Sequence, residues 1–403
     1  MLNNPFSKTS ILKAITLVST TSLLSACFHE DEDLCSPSAS DHYAVISTQA
    51  ADGSSGDVSI ISLDNFCADN KNSSSLSDSV ISTDSENFYH IGRFLQDNIT
   101  KFNINSPSTL EWQYSANADG EEKSNPYKLV VKNDTTAYLI RYGQPTIWIV
   151  DPSATEESAF KTGEIDLSTY AGDDLIPEAS DALLIDDKLH VLMQNLDRND
   201  GWTPGVAYIA IFDTANENIE IETNSDENTP NGITLTTVNP STMEYLSSNN
   251  TIYVSSIGEY AKSYTTPITP AVYSGGIESI DLSDYSTNLV VDDGDETDAP
   301  YGQTVNVAIL NSTQGYFIGY NAFQDANIFS FNPTSGDVDE TPLLVNKDIS
   351  DIEIGPMGNL WISNRSESGI TIFDTVTNTV SHELIDTDLL PNDIEFLSKD
   401  TEN

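Results

Sequence analysis

Arginine side chains are rare in this chain, and their positions give the first indication of chemistry. All four lie in polar segments that follow a short apolar run: Arg93, Arg141, Arg198 and Arg365. Aromatic residues share corresponding segments, among them Tyr142, Trp202 and Tyr320. A guanidinium group binds a carboxylate or another oxyanion through two parallel hydrogen bonds, and aromatic rings stack on flat ligands. The pattern predicts a binding site for a small anionic ligand or a metal chelate.

A structural role for the same arginines is the alternative. Each guanidinium group could pair with carboxylates of neighbouring loops and only join parts of the fold. Candidate partners are Asp173, Asp174, Asp292, Asp293 and Asp295. The sequence leaves both interpretations open.

Signals for catalysis are weak. The chain has no GxSxG, HExxH, phosphate-loop or GxGxxG motif, so hydrolase, zinc-protease and nucleotide chemistry lack a motif. His90 precedes Arg93 by three positions and could act as a general base beside an oxyanion-binding group. We name no catalytic residue and leave enzyme activity undecided, with a binding role favoured.

Metal binding has limited support. The acidic segments Asp292–Asp298 and Asp197–Gly201 could hold calcium, which prefers several oxygen ligands on a flexible turn, but neither matches the EF-hand pattern. Three cysteines without CxxC spacing predict no zinc site. We assign no metal ligand and leave any cofactor unknown, with calcium the only candidate.

The charge balance excludes one class of partner. The 403 residues include 16 basic and 63 acidic side chains, which give a formal net charge of -47. Such a chain repels phosphate backbones, so nucleic-acid binding is excluded. With 38% hydrophobic residues, the chain is too apolar for disorder.

The first residues indicate a cellular address. Residues 1–26 carry Lys8 and Lys13, then an apolar run from Ala14 to Leu24, as in a signal peptide. The sequence Leu24, Ser25, Ala26, Cys27 resembles the bacterial lipobox, which implies lipidation of Cys27 and, with Phe28 next, delivery to the outer membrane. An ordinary secretory signal or an uncleaved anchor is the alternative. Residues 27–41 are expected to form a flexible tether, and the membrane face, periplasmic or exterior, stays open.

Two cysteines remain after lipidation. In an oxidising compartment, Cys35 and Cys67 predict one disulfide between the tether and the start of the fold. Two free thiols are the alternative.

From residue 42 onward, short apolar runs of period two alternate with turn residues, which predicts an all-β chain. Isoleucine, an aliphatic residue or phenylalanine three positions later, and then Asp or Asn recur seven times. The isoleucines are Ile60, Ile99, Ile147, Ile209, Ile277, Ile328 and Ile370. A second strand precedes each unit and carries Tyr43, Tyr89, Tyr138, His190, Tyr253, Phe317 or Trp361.

The length of the unit predicts the architecture. Residues 42–396 give about 51 residues for each of seven units, which is the size of a four-stranded propeller blade. The sequence Asp393 to Phe396 repeats Asp351 to Ile354, so we expect the C-terminal strand to complete the first blade and close the ring. We therefore predict a seven-bladed β-propeller over residues 42–403. Two separate β domains are the alternative.

One unit resembles a known repeat. Leu360–Asn364, Ile370–Thr375 and Thr377–Val380 are similar to the YVTN repeat of surface and periplasmic propellers, and Ile252–Ser256 is a weaker copy. The resemblance implies a bacterial propeller lipoprotein, a group that includes binding proteins, adhesins and some enzymes.

The sequence as a whole favours a monomeric, outer-membrane lipoprotein that captures a small anionic ligand or chelate at the end of the ring where the arginine loops converge. An interaction scaffold for another envelope protein is the alternative, and a propeller lactonase is less favoured.

Overall fold

The computed structural model describes residues 35–399, except residues 122, 225, 227, 263 and 264. Cys27 and the predicted signal peptide lie outside the described residues. All strands described below belong to the compact unit of residues 36–403. None of the described residues forms a helix that is long and apolar enough to cross a membrane.

The regular secondary structure of the described residues is almost entirely β-strand. In chain order, the first are β1 (His42–Gln49), β2 (Gly56–Ser62), β3 (Ala68–Asp69), β4 (Ser79–Thr83), β5 (Asn87–Gly92), β6 (Asn98–Asn103), β7 (Leu110–Ser115), β8 (Pro126–Asn133), β9 (Thr136–Arg141), β10 (Thr146–Val150) and β11 (Lys161–Asp166). They are followed by β12 (Ala179–Ile185), β13 (Lys188–Met193), β14 (Leu196–Asp197), β15 (Thr203–Pro204), β16 (Tyr208–Asp213), β17 (Ile219–Glu220), β18 (Ile233–Thr234), β19 (Pro240–Leu246), β20 (Thr251–Ser256), β21 (Gly276–Asp281) and β22 (Thr287–Val291). The last are β23 (Gln303–Asn311), β24 (Gln314–Ala322), β25 (Asp325–Phe331), β26 (Leu344–Lys347), β27 (Ile349–Ile354), β28 (Leu360–Asn364), β29 (Gly369–Asp374), β30 (Thr379–Asp386) and β31 (Leu390–Ser398). Short helical turns occur at α1 (Glu157–Phe160) and, as 3-10 turns, at Ser168–Tyr170 and Arg198–Asp200.

Seven antiparallel sheets form the blades of a propeller. Blade 1 has the order β31-β1-β2-β3 from the inside outward, and blades 2 and 3 are β4–β7 and β8–β11. Blade 4 is β12-β13-β16-β17, with β18 also paired to β16, and β14 and β15 form a separate hairpin within it. Blades 5, 6 and 7 are β19–β22, β23–β26 and β27–β30. The predicted all-β, seven-bladed architecture is confirmed.

The C-terminal strand closes the ring. β31 pairs antiparallel with β1, from His42 opposite Ser398 to Gln49 opposite Leu390. The inner edge of the first blade is thereby covered, so the ring has no open inner edge at this junction. The predicted closure by the segment around Asp393 is confirmed.

The repeated isoleucine unit is the third strand of each blade. These strands are β2, β6, β10, β16, β21, β25 and β29, and the strands with the predicted aromatic residues or histidine are the second strands. Asx turns end most of the units, as in Asp281, whose Oδ1 accepts a hydrogen bond from Ser283 N at 2.8 Å. Each blade packs between two others. Successive side chains of these strands point to opposite faces of the sheet, and both faces are therefore buried.

Hydrophobic packing lies between the blades. Seven buried clusters each join two neighbouring blades, including the cluster of Ala44, Ile46, Trp361 and Ile394 between blades 7 and 1. Each blade therefore depends on its neighbours for burial.

The predicted disulfide is confirmed. Cys35 and Cys67 are both disulfide-bonded. Cys67 follows β2, so the bond is made at the start of the first blade.

Candidate functional site

Loops at one end of the ring, which we name the top face, join second to third strands and each outer strand to the next blade. Two of the predicted site arginines meet there through two tyrosines. The Cζ atom of Arg93 lies 3.9 Å from the centroid of the Tyr127 ring. Tyr127 stacks on Tyr142 with a centroid separation of 4.4 Å and an interplanar angle of 12°. The Cζ atom of Arg198 lies 5.8 Å from the Tyr142 centroid, so the four side chains form one continuous stack across blades 2 to 4.

Trp202 extends this arrangement outward. Its ring centroid lies 5.3 Å from the Cζ atom of Arg198, and half of the side chain (50%) is exposed. The loop turns because Asp197 caps the short helical turn with hydrogen bonds to Asn199 N and Asp200 N. Trp202 itself has a φ of 64°, a left-handed conformation that is costly for a large side chain.

An apolar pocket of about 320 Å³ lies beside Trp202. Its apolar walls come from blades 3, 4 and 5: Tyr142, Leu196, Trp202, Pro204, Ile257 and Tyr260. Tyr260 contacts Tyr320 edge to face at 5.6 Å, which brings the predicted Tyr320 next to the same pocket. Three predicted site residues of the top face, Tyr142, Trp202 and Tyr320, are therefore neighbours of one cavity.

All four predicted arginines are in ion pairs. Arg93 Nε lies 3.1 Å from Asp78 Oδ1, and Arg198 Nε lies 2.7 Å from Glu178 Oε1. Glu178 is fully buried, and burial raises the pKa of its carboxyl to about 7 against the opposing effect of Arg198. The charge of each guanidinium group is thus partly offset within the fold.

The other two arginines lie elsewhere. Arg141 is only 1% exposed, pairs with Glu121, donates to Ala116 O at 3.1 Å and stacks over Trp148. Arg365 approaches from blade 7, with its Nε atom 3.4 Å from Asp348 Oδ2 and its Nη1 atom 3.1 Å from Asn392 Oδ1. Neither joins the stack of Arg93 and Arg198, and the prediction that the four arginines bind an anion stays a prediction.

A second cavity, of about 330 Å³, lies among the inner strands, and we name it the channel cavity. Two basic side chains reach it, Arg93 and Lys128. Six carboxylates also line it: Asp181, Glu244, Asp351, Glu353, Asp393 and Glu395. The channel cavity is therefore acidic although one ammonium and one guanidinium group also line it.

Burial and mutual repulsion change the protonation of these groups. Burial raises the pKa of Glu244 and Glu395 to about 8, that of Asp351 to about 7 and that of Asp393 to about 6. Burial alone would lower the pKa of Lys128, but the surrounding carboxylates, Asp181 first among them, raise it well above its ordinary value. The ammonium group stays charged while part of the carboxyl groups hold protons near neutral pH.

Polar side chains connect the inner strands all around the channel. Asp393 Oδ2 accepts from Ile81 N at 2.7 Å and Asp351 Oδ2 from Ile394 N at 2.8 Å. Hydrogen bonds also cross the other five boundaries between neighbouring inner strands. They join Leu129 N to Ser82, Lys128 to Asp181, Met243 N to Asp181, Ser241 to Val305 O, and Asn306 to Asp351. We name this set the junction belt, because it crosses each of the seven boundaries between neighbouring inner strands.

The channel cavity is a feature that the sequence did not lead us to predict. A signal was present, since Asp-Ile-Glu occurs in two inner strands, at residues 351–353 and 393–395. That repeat was interpreted only as evidence for ring closure. Lys128 carried no signal, because one lysine in a half-buried strand is ordinary.

His90 does not act together with Arg93. Its ring is buried, with Nδ1 2.9 Å from Ser73 Oγ and Nε2 3.4 Å from Ser75 Oγ. His90 lines a cavity between blades 1 and 2, whereas Arg93 lines the channel cavity. Burial lowers the pKa of His90 to about 4, so the ring is neutral at pH 7.

Among the described residues, no group of three or more His, Cys, Asp or Glu side chains could hold a metal ion. In the acidic segment after β22, the carboxylates of Asp292 and Asp295 accept hydrogen bonds from their own loop, from Gly294 N and Thr297 N. In the other segment, Asp197 caps a helical turn.

Comparisons with known proteins show the fold. No family model matches this chain, and no curated protein matches it in sequence. A candidate 6-phosphogluconolactonase from Bacteroides fragilis superposes with a TM-score of 0.55 at 14% identity, over 90% of this chain and 100% of that one. A periplasmic gluconolactonase of Pseudomonas aeruginosa gives 0.53 at 10% identity, over 88% and 99%. Apo AztD of Citrobacter koseri gives 0.50 at 13% identity, over 89% and 99%. At these identities the similarity supports the propeller fold and carries no activity to this chain.

Proposed function

We propose that this chain is a monomeric lipoprotein of the outer membrane whose propeller captures a small ligand at the top face. The exposure and the conformation of Trp202 are the main support for ligand capture. A large aromatic side chain is held half exposed, in a left-handed conformation, at the rim of an apolar pocket of about 320 Å³. Strained residues at a pocket rim are typical of ligand sites, and the pocket has the size of a small-molecule site.

The walls of the pocket indicate the chemistry of the ligand. Tyr142, Trp202 and Tyr260 favour a flat apolar or aromatic body. The anionic group that the sequence predicts would meet the guanidinium group of Arg198, which lies beside the Trp202 ring. Because Arg198 already pairs with Glu178, we expect the aromatic contacts to contribute more affinity than the charge.

Intrinsic fluorescence can test this site. The other three tryptophans, Trp112, Trp148 and Trp361, are at most 9% exposed, so acrylamide quenches mainly Trp202. A panel of aromatic acids, their neutral amides and ferric chelates is screened by thermal shift, and each hit is tested for protection of Trp202 from quenching. We expect at least one hit to protect it, and stronger binding by the acid than by its amide if the charge contributes.

Two variants make the test decisive. Trp202→Ala should weaken binding of a hit by about tenfold or more, because a buried aromatic contact is lost. Val376→Ala, an exposed residue of a loop after β29 at the opposite end, is the matched control and should leave affinity unchanged. Hits that bind both variants equally, without protecting Trp202, contradict the proposed pocket.

The lipid anchor needs a separate test. Cys27→Ser should move the protein from the membrane fraction to the soluble fraction, since an acyl chain buries many methylene groups. Unchanged association with outer membranes would contradict the lipoprotein part and leave the ligand pocket untouched.

The lactonase alternative gains no support from the described site. A lactone hydrolase would need a base near an oxyanion-binding group, and His90 and Arg93 line different cavities. The scaffold role has no named partner.

A further inference from the structure

Large apolar side chains are exposed on the loops of the top face. The set that we name the apolar arc consists of Phe94, Leu95, Leu175, Trp202, Tyr260 and Phe323. These residues lie on top-face loops of blades 2, 4, 5 and 6 and on the loop between blades 3 and 4. The second-to-third-strand loops of blades 7 and 1, at residues 365–368 and 50–55, carry no large apolar residue. The residues of the apolar arc therefore lie on the top-face loops from blade 2 to blade 6 and are absent from the second-to-third-strand loops of blades 7 and 1.

Three residues of the apolar arc have a left-handed backbone conformation. Leu95 and Leu175 both have a φ of 68°, and Trp202 has a φ of 64°. A left-handed conformation is unfavourable for a residue with a Cβ, and glycine or asparagine would relieve the strain. Leu95 is 67% exposed and Leu175 is 71% exposed, so burial inside this chain does not offset that cost. Burial of these side chains against another molecule would offset that cost.

We propose that the apolar arc docks a partner protein whose contact surface is apolar at its centre and carries lysine and arginine at its rim. The charge of the surrounding loops specifies the rim. Three basic residues there are paired internally, Arg93 with Asp78, Arg198 with Glu178 and Lys262 with Glu259. Exposed Lys123 takes part in no ion pair among the described residues and is outnumbered by the carboxylates. Exposed carboxylates such as Asp173, Asp200 and Glu296 take part in no ion pair among the described residues and leave the surface acidic.

Other occupants fit this surface less well. A second copy of the chain would bring another net charge of -47 against the same acidic loops. A small ligand fills the apolar pocket, which touches Trp202 and Tyr260 but not Leu95, Leu175 or Phe323. Anionic lipid headgroups are repelled by the same carboxylates. A protein surface spans several blades and supplies both the apolar and the basic groups.

The test uses model peptides with the purified full chain. A labelled amphipathic peptide of leucine and lysine at helical spacing is titrated at 0.15 M salt by fluorescence anisotropy, with leucine–glutamate and serine–lysine peptides beside it. We expect the leucine–lysine peptide to bind at least tenfold more tightly than either of the others, because only it supplies both the apolar and the basic groups.

Variants locate the binding. The triple variant Leu95→Ser, Leu175→Ser, Phe323→Ser should weaken the leucine–lysine peptide by about tenfold or more, and its charge is unchanged. The matched control, Met357→Ser with Val376→Ser, removes two exposed apolar side chains from loops at the opposite end and should bind like the unmodified protein. Melting temperatures verify that both variants fold. Trp202 is left intact, so a failure here is distinct from a failure of the ligand pocket.

Three results would overturn the docking proposal. Equal binding of the leucine–lysine peptide to the triple variant shows that net charge alone attracts it. A concentration-dependent dimer that the triple variant lacks identifies a second copy as the occupant. Flotation with phosphatidylcholine vesicles that depends on the same three residues identifies a membrane.

Discussion

Lys128 Nζ lies 2.8 Å from Asp181 Oδ1, and this contact joins the inner strands of blades 3 and 4. The ammonium group also faces Glu244, Glu353 and Glu395 across the channel cavity. One cation therefore offsets part of the repulsion among six carboxylates. The stability of the ring and the protonation of its channel are linked through this residue.

Removal of the Lys128 charge should destabilise the protein. Lys128→Met leaves Asp181 without its cation, and truncation of one partner of a buried pair typically costs about 3 kcal/mol. We expect a loss of that order in the free energy of unfolding at pH 8, measured by urea denaturation, and a smaller loss at pH 5, where more channel carboxylates are neutral. Lys188→Met, which replaces an exposed lysine of blade 4, is the control and should change stability little. Equal losses in the two variants contradict the account.

Stability should fall as the pH rises above neutrality. The raised pKa values of Glu244, Asp351 and Glu395 mean that the native state holds protons that the unfolded chain releases near pH 4. Their contribution is complete below that pH and is lost as the pH passes about 7 to 8. His90 and His190, whose pKa values burial lowers to about 4, act in the opposite direction below pH 6.5. Between pH 6.5 and 9 the change in stability therefore reports on the channel carboxyl groups and not on the two histidines.

Urea denaturation across that window should give a free energy of unfolding that decreases by roughly 4 kcal/mol. In the double variant Glu244→Gln, Glu395→Gln the decrease should be smaller, because two titrating groups are removed. A free energy of unfolding that rises from pH 6.5 to 9 would show that the channel carboxylates are ionised in the native state.

Arg141 should contribute to folding. Arg141→Gln leaves Glu121 without its partner beside a buried side chain, and we expect a loss of about 2 to 4 kcal/mol. Lys161→Gln breaks the exposed pair with Glu164 on the same blade and should cost less than about 1 kcal/mol. Thermal and urea unfolding of the two variants measure the difference. A loss of ligand affinity in Arg141→Gln with unchanged stability would instead support its predicted role in anion binding.

Truncation should test the closure of the ring. Deletion of residues 390–403 removes β31, uncovers the inner edge of β1 and breaks the hydrogen bond from Ile81 N to Asp393. We expect the melting temperature to fall by more than about 10 °C, or the cooperative transition to disappear. Deletion of residues 400–403, which lie beyond β31, is the matched control and should melt like the full chain. A truncated protein that kept its melting temperature would contradict the importance of this pairing.

The fold could be predicted because its signal is local and repeated. Ile370, Phe373 and Asp374 form one strand and its turn, and the same spacing returns in six other blades. Closure was also visible, since Asp393 to Phe396 copies an inner strand that has no following partner in sequence. Each of these features depends on residues a few positions apart.

The channel could not be predicted in the same way. Glu353 alternates with apolar residues as a solvent-facing side chain would, and the sequence does not say that this face turns toward the other inner strands. Lys128 and Asp181 are 53 positions apart, and only the ring brings them together. Arg141 and Arg198 carry the same sequence signal, yet one is buried between blades and the other reaches the surface. The difference comes from position, because Arg141 is the last residue of β9 whereas Arg198 begins a 3-10 turn after β14.

The pairing of β1 with β31 also sets an order of events. His42 and Ser398 lie 356 positions apart, so β1 cannot obtain its inner partner until nearly the whole chain is available. Blades 2 to 7 can assemble from local hairpins, whereas the first blade waits with an exposed edge. For a chain that emerges N-terminus first, folding can finish only after emergence of the last strand. The pairing of the two strands is then the last contact of the ring that can form, and until that moment the inner edge of β1 stays uncovered.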